Sequence, residues 1–177
     1  MYEEANTFIV LFPGGFKPPH KGHFEALKFL LNKSNSLSAK VFVGAKERDG
    51  ITQEQSVQIW QIYSKYINAN VEIVAVLGVD KGGRAATPLS MTYDFIEDNK
   101  GSFKHFFVGA GEEDIKRFQG LEKDKNKYPN TTIISIPPQF SRISGTKVRQ
   151  NLKNGDLSFV PKEIKDLNQI KKILRIK

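Results

Sequence analysis

Between residues 14 and 23 the chain reads Gly14-Gly15-Phe16-Lys17-Pro18-Pro19-His20-Lys21-Gly22-His23, and residue types in that order suit an anion. Gly14, Gly15 and Gly22 let the backbone come close to a ligand, while Pro18 and Pro19 stiffen the segment. His20 and His23 stand three residues apart around an expected helix start, so two imidazole donors can reach one phosphoryl group. Lys17 and Lys21 add formal charge. The helix opening near Gly22 would add unpaired N–H groups and the positive end of its dipole. A preorganised cradle of this kind belongs where charge develops during phosphoryl or nucleotidyl transfer.

Such a loop needs a strand before it and a helix after it, and the pattern supplies both. Residues 7–12 form a continuous apolar run closed by Pro13-Gly14-Gly15, which reads as a buried strand. Phe24, Leu27, Leu30 and Leu31 follow at helical spacing. Further strands are expected at 40–44, 71–77, 103–108 and 131–136. Between them, Thr52 to Gln55 offers a capping box for a helix with Val57, Trp60, Tyr63 and Ile67 on one face, and Thr87-Pro88 offers an N-cap followed by proline. Ile164, Leu167, Ile170 and Leu174 predict a final amphipathic helix. Strands separated by helices imply crossovers, and hence a doubly wound (Rossmann-like) α/β fold: a mostly parallel five-stranded sheet with helices on both faces. In such sheets ligands bind beyond the carboxyl ends of the strands, so the loops after each strand matter most.

A chain of 177 residues is one ordinary domain, and 39% hydrophobic with 26% charged residues is enough to bury a core. We expect a single domain over 1–177, with 153–177 a basic C-terminal helical extension. No run approaches the ~20 apolar residues of a membrane helix, and the acidic start does not resemble a signal peptide, so a cytoplasmic protein is expected. With no cysteine, disulfides, thiolate metal sites and a cysteine nucleophile are excluded. The net charge of +8 favours anionic partners, and most of it lies from Lys147 onward, where nine Lys/Arg meet three Asp/Glu. Few aromatics interleave with those lysines, which favours a solvated helix face over a nucleic-acid footprint.

The positions Gly14, Phe16, Pro18, His20, Gly22 and His23 reproduce the pattern G-x-F-x-P-x-H-x-G-H. In this the chain resembles the nucleotidyltransferase superfamily with the H-x-G-H motif, which includes nicotinamide-mononucleotide and pantetheine-phosphate adenylyltransferases and glycerol-3-phosphate cytidylyltransferase. Lys17 departs from the family, which more often carries Asp or Asn there. Near the other end, Ile143-Ser144-Gly145-Thr146-Lys147-Val148-Arg149 resembles the family's I-S-S-T-x-h-R, with Gly145 replacing a serine. The resemblance implies that Ser144, as a helix N-cap, and Thr146 hold the β- and γ-phosphates, and that Arg149 braces the leaving pyrophosphate. Short lysine-rich chains with this start also look like uncharacterised phage-borne transferases.

The remaining loops carry weaker candidates. Lys46 and Arg48, after the second strand, occupy a place where a basic residue commonly reaches phosphates in the family. Asp80 and Arg84, in the glycine-rich loop after the third strand, are candidates to cover the acceptor; a mobile solvated loop is the plainer reading. Gly109-Ala110-Gly111 fails as a dinucleotide fingerprint because Asp114 takes the third glycine position, although the resemblance places Gly109 and Gly111 beside the base and ribose. His105 falls inside a strand and Trp60 on an apolar helix face, both read as structural.

The implied reaction is transfer of a nucleoside monophosphate from ATP or CTP to a small phosphorylated acceptor with release of pyrophosphate, adenylyl transfer being preferred. His20, His23 and Lys17 are the expected catalytic groups. Gly14, Gly15, Phe16, Lys21, Gly22, Lys46, Arg48, Gly109, Gly111, Ser144, Thr146 and Arg149 would bind nucleotide or phosphate. Magnesium is expected to arrive with the triphosphate, without a dedicated protein metal site. The alternatives are cytidylyl transfer to a polyol phosphate, or a non-catalytic nucleotide- or RNA-binding module, since class I aminoacyl-tRNA synthetases share H-x-G-H. A homo-oligomer is compatible with the sequence.

Overall fold

The computed structural model describes residues 7–176. Five strands, β1 (Phe8–Gly14), β2 (Ser38–Val43), β3 (Asn70–Ala75), β4 (His105–Ala110) and β5 (Thr131–Ser135), form one sheet in the order β3-β2-β1-β4-β5. Every pairing is parallel, with Phe12 opposite Val41 on one side of β1 and Phe8 opposite His105 on the other. The expected doubly wound fold is the observed one. The chain builds β1 to β3 outward in one direction and returns across β1 to lay down β4 and β5. The carboxyl ends of β1 and β4 therefore border the crevice where such sheets bind ligands.

β1 is the central strand, and its residues alternate between two cores. Val10 and Phe12 face one layer, Ile9 and Leu11 the other, and all four are buried. The first layer holds α1 (Lys21–Ser34), α2 (Gln53–Ser64) and α7 (Asn168–Leu174). Phe24, Leu27 and Leu30 of α1 are fully buried, and each contributes roughly 1.5–3 kcal/mol over exposure. The second layer is built on α3 (Pro88–Asp98) and on a short 3-10 turn at Ile115–Phe118 leading into α4 (Gly120–Lys123). Between β5 and the C-terminal segment lie α5 (Pro138–Ser141) and α6 (Gly145–Leu152). The capping box read at Thr52 is formed, and Thr87 caps its helix as read, with Pro88 at the first helical position and a capping box to Ser90 that the sequence reading did not include.

Two expected elements begin later than the sequence pattern suggests. β4 starts at His105, because Phe103 turns into the second core against Phe95 and Phe106. Within 153–177, helix is limited to Asn168–Leu174 among the described residues. The Asp166 carboxylate accepts the Asn168 N–H, and the Ile164 N–H closes a turn on Pro161, so the pattern from 164 to 167 is spent on turns. Phe159, Val160, Ile164 and Ile170 are buried in the first core. No helix among the described residues is long and apolar enough to cross a membrane.

Candidate active site

The loop after β1 is held at nearly every carbonyl. Ser56 Oγ of α2 donates to Phe16 O at 2.6 Å, and Tyr63 Oη, about two turns further along the same face, donates to Pro19 O at 3.0 Å. Lys17 Nζ donates to Gly15 O and to Gly44 O, the latter at 2.8 Å, while Arg149 donates to Lys17 O at 2.9 Å. Gly44 N–H in turn reaches Gly14 O. Phe16 has a left-handed backbone (φ 53°) that turns its ring under the loop, edge-on to Phe12, His23 and Trp60. The ring lies so close beneath Gly14 that any side chain there would collide with it. Trp60 is fully buried in this cluster, as its apolar face implied.

The two histidines cap α1 with each other. The backbone N–H groups of Gly22 and His23 donate to His20 Nδ1 at 3.1 and 3.4 Å, and His20 N–H donates to His23 Nδ1 at 3.0 Å. The rings stack with centroids 3.6 Å apart. Because each Nδ1 accepts, each neutral ring carries its proton on Nε2. Burial holds His20 far below its ordinary value, at about 4, with the Lys21 charge adding to it and backbone hydrogen bonding opposing. Burial, then the neighbouring His20, pushes His23 down as well. The pair is therefore uncharged at neutral pH, with the His20 ring also hydrogen-bonded to the Ile143 backbone.

One expectation for this helix is corrected. The N–H groups at the start of α1 do not await a phosphate: Lys21 N–H is taken by Phe159 O at 2.7 Å, Gly22 and His23 by the His20 ring, and Phe24 by His20 O. The open helix start is that of α6. Ser144 caps it through Lys147 N–H, as its motif suggested, and the N–H groups of Gly145 and Thr146 have no partner among the described residues. Arg149 on the same helix is spoken for on three sides: Nε donates to Asp49 Oδ2 at 2.7 Å, Nη1 to Lys17 O, and Nη2 to Thr146 Oγ1 at 3.3 Å.

Above the sheet two chambers meet over the end of β1. The first, about 250 Å³, is walled by His20, His23, Gly109, Gly111, Phe118 and Phe140, among others. The second, about 550 Å³, lies on the β2 side and is walled by Lys17, Lys46, Arg48, Thr87 and Arg117. Pro13, Gly14, Gly15, Asp114 and Phe118 belong to both. Gly15 has nothing within 4 Å of where a side chain would start, so a ligand can lie directly on its backbone. A larger concavity of about 840 Å³ lies between α2 and α7, but it is lined by glutamines and lysines and includes none of the motif residues.

The structure thus gathers His20, His23, Gly14, Gly15, Phe16, Gly22, Gly109 and Gly111 around one chamber and Lys17, Lys46 and Arg48 around the next. Ser144, Thr146 and Arg149 stand beside them, joined through Ile143 on the first wall and through the Lys17 carbonyl. Lys21 is exposed and on neither wall. Asp80 and Arg84 are elsewhere: Asp80 Oδ1 accepts from the Gly82 and Arg84 N–H groups within its own turn, and both residues border a separate groove with Lys81 and Glu97. Gly109 is explained by packing, since a side chain there would start 2.3 Å from Leu30 Cδ1. His105 sits at the opposite end of its strand, half-buried against Phe107 and bonded to Thr132 Oγ1. Arg117, Phe118 and Phe140 went unnoticed in the sequence, where short turns and loops leave no periodic signal. Among the described residues no group of three or more His, Asp or Glu is placed to hold a metal ion.

Burial, and after it the nearby Arg48 charge, lowers Lys17 to about 8. Its ammonium has three donors, of which Gly15 O and Gly44 O take two.

No protein-family model matches the chain, and no curated protein sequence matches it. Solved structures do. A protein from Vibrio parahaemolyticus assigned as a nicotinate-nucleotide adenylyltransferase superposes with a TM-score of 0.66 at 16% identity, over 96% of this chain and 99% of that one. The Plasmodium falciparum nicotinic acid mononucleotide adenylyltransferase complexed with APC gives 0.58 at 17% identity, over 94% and 89%. A bifunctional NMN adenylyltransferase/ADP ribose pyrophosphatase from Francisella tularensis, complexed with AMP and a manganese ion, gives 0.59 at 16% identity. This chain covers 97% of its own length there and 50% of that protein. At such identities the likeness establishes a shared fold, a parallel Rossmann-like sheet wrapped by helices.

Proposed function

We propose that the chain is a nucleotidyltransferase of the H-x-G-H superfamily, moving a nucleoside monophosphate, preferably AMP from ATP, onto a small phosphorylated acceptor. The observation that carries this reading is the pair of chambers meeting at Gly14-Gly15, one beside two neutral imidazoles and the other lined by four cations. The nucleotide belongs in the first chamber, where Phe118, Phe140 and Ile136 offer an apolar wall for a base. The acceptor belongs in the second, with its phosphate near Lys17, Lys46 and Arg48. The structural neighbours, named for adenylyl transfer to nicotinate or nicotinamide nucleotides, support adenylyl over cytidylyl.

An oxygen of the acceptor phosphate attacks the α-phosphorus in line. A new phosphorus–oxygen bond forms as the bond to the oxygen bridging the α- and β-phosphorus breaks, and that electron pair leaves with pyrophosphate. The attacking oxygen is already anionic, so no protein nucleophile or base is required, and the residues need only position and stabilise. His20 and His23 donate Nε2–H to the α-phosphoryl oxygens. Their neutrality suits this, since a donor held without charge binds the developing charge without clamping the product. The open N–H groups of α6 and the Ser144 and Thr146 hydroxyls receive the pyrophosphate. Magnesium travelling with the triphosphate would meet one carboxylate, Asp114, on the wall of both chambers, a sparse donor set that fits an ion keeping its waters and phosphate oxygens. Bound there, it would neutralise charge on the triphosphate.

The test is a panel of four ribonucleoside triphosphates against phosphorylated acceptors, read by pyrophosphate release. ATP with one acceptor is expected to turn over, and His23→Ala to lower kcat by ~10²–10³ with the fold retained. Pyrophosphate from no pair would overturn the proposal, as would full activity in His23→Ala.

A further inference from the structure

We infer that Asp49 is a positioning residue for the pyrophosphate end of the site, acting through Arg149. This rests on the reading of Arg149 as a pyrophosphate contact. Asp49 lies a hundred residues away in sequence, in the loop between β2 and α2, and no motif includes it.

The geometry is specific. Arg48 and Ile51 pair across a two-residue turn, N–H to O in both directions at 3.1 and 2.9 Å. Asp49 and Gly50 form its tip, with φ of 48° and 83°, the paired left-handed conformation that Asp-Gly adopts in tight reversals. Ile51 is buried and anchors the turn. The reversal sends its two charged residues in different directions: Arg48 lines the second chamber, and the Asp49 carboxylate meets Arg149 Nε at 2.7 Å. Arg149 has five N–H donors in a planar fork. Asp49 takes the Nε donor, Lys17 O one on Nη1, and Thr146 Oγ1 one on Nη2. One donor remains on each terminal nitrogen, and with Nε fixed the plane in which those two lie is fixed too. Asp49 thereby sets the direction in which the guanidinium faces an anion beside the open start of α6. Contact with Arg149 also holds the Asp49 carboxyl below its ordinary value, so it stays ionised.

Two effects of the carboxylate oppose each other. As an acceptor it orients the fork and favours an anion; as a negative charge it repels one. Substitutions separate them. Binding of inorganic pyrophosphate to the full chain would be measured by titration calorimetry for wild type, Asp49→Ala and Asp49→Asn, with triphosphate KM and kcat measured alongside. The expected result is a roughly tenfold weaker pyrophosphate Kd and a matching rise in KM for Asp49→Ala with kcat held within about twofold. Asp49→Asn, which keeps an oxygen for Nε, is expected to bind at least as tightly as wild type. An unchanged or tighter Kd in Asp49→Ala overturns the inference, because charge or mere surface contact would then be the whole effect. Wild type that binds pyrophosphate but releases none from any triphosphate would sink the transfer reading while leaving the Asp49 comparison decisive. Wild type that does not bind pyrophosphate would overturn the Asp49 role itself.

Discussion

At the scale of single residues, the site is set by three groups, His20, His23 and Lys17, whose titration burial shifts. His20 and His23 are uncharged because each Nδ1 already accepts backbone N–H groups and burial opposes a proton there. Adding a proton would convert those acceptors to donors and break the cap. Lys17 is the reverse case, a cation kept in a buried place by two carbonyls. Burial disfavours its charged form and brings its titration down to about 8 from 10.5. If the charge on Lys17 is needed for acceptor binding, activity must fall as pH rises through about 8, where the ammonium is lost. No matching limb is expected near 6.5, since His20 remains neutral down to about 4. In Lys17→Arg the guanidinium stays charged to beyond pH 12, so the alkaline limb should disappear, whatever the absolute rate. The logarithm of kcat/KM against pH from 5 to 10 checks this. A limb at 8 that persists in the arginine variant would remove Lys17 from the role.

At the scale of elements, the H-x-G-H segment is shaped by packing. Gly22 lies where α1 begins beneath α5, and a side chain there would start 2.3 Å from Phe140 O and 2.9 Å from the His20 ring. The carbonyl belongs to backbone and cannot swing aside. Gly22→Ala should therefore force α5 outward, at a cost of about 1–3 kcal/mol, seen as a fall in Tm of roughly 2–12 °C. Calorimetry would decide, and an unchanged Tm would mean that α5 yields freely. The strands, α1, α2 and α3 were legible because each buries a periodic apolar set or carries a capping box. The histidine pair and the glycines were legible because their spacing is local. What could not be read was the partner at a distance: Phe159 O on Lys21 N–H, Asp49 on Arg149, and Ser56 and Tyr63 on the loop carbonyls. Sequence order gives no hint of which backbone group will satisfy which. The expectation of free N–H groups at α1 failed for that reason, since the group that fills the place comes from 138 residues further on. The short α4 and α5 bury too few residues to leave a periodic trace.

At the scale of the whole molecule, the chain after Leu152 closes the first core instead of trailing from it. Its surplus of positive charge reads as a solvated face, but the same stretch carries Phe159, Val160, Ile164 and Ile170 inward. Gln55 of α2 binds the Ile173 carbonyl at 3.0 Å, and Phe159 O caps the helix that bears both histidines. The basic segment and the helix that begins at the histidine pair thus share one core, and a lesion in the former should unfold both together. Ile170 is fully buried, so Ile170→Ala leaves a cavity and should cost about 2–5 kcal/mol, or a Tm lower by roughly 4–20 °C, within one transition. Urea unfolding followed both by far-ultraviolet circular dichroism and by Trp60 fluorescence tests the cooperativity directly, because Trp60 lies under the histidine loop and far along the chain from residue 170. Coincident curves with a lowered midpoint are expected. An unchanged midpoint, or circular dichroism lost before fluorescence, would make the C-terminal segment a separable appendage, and its lysines would then be open to a role of their own with polyanions.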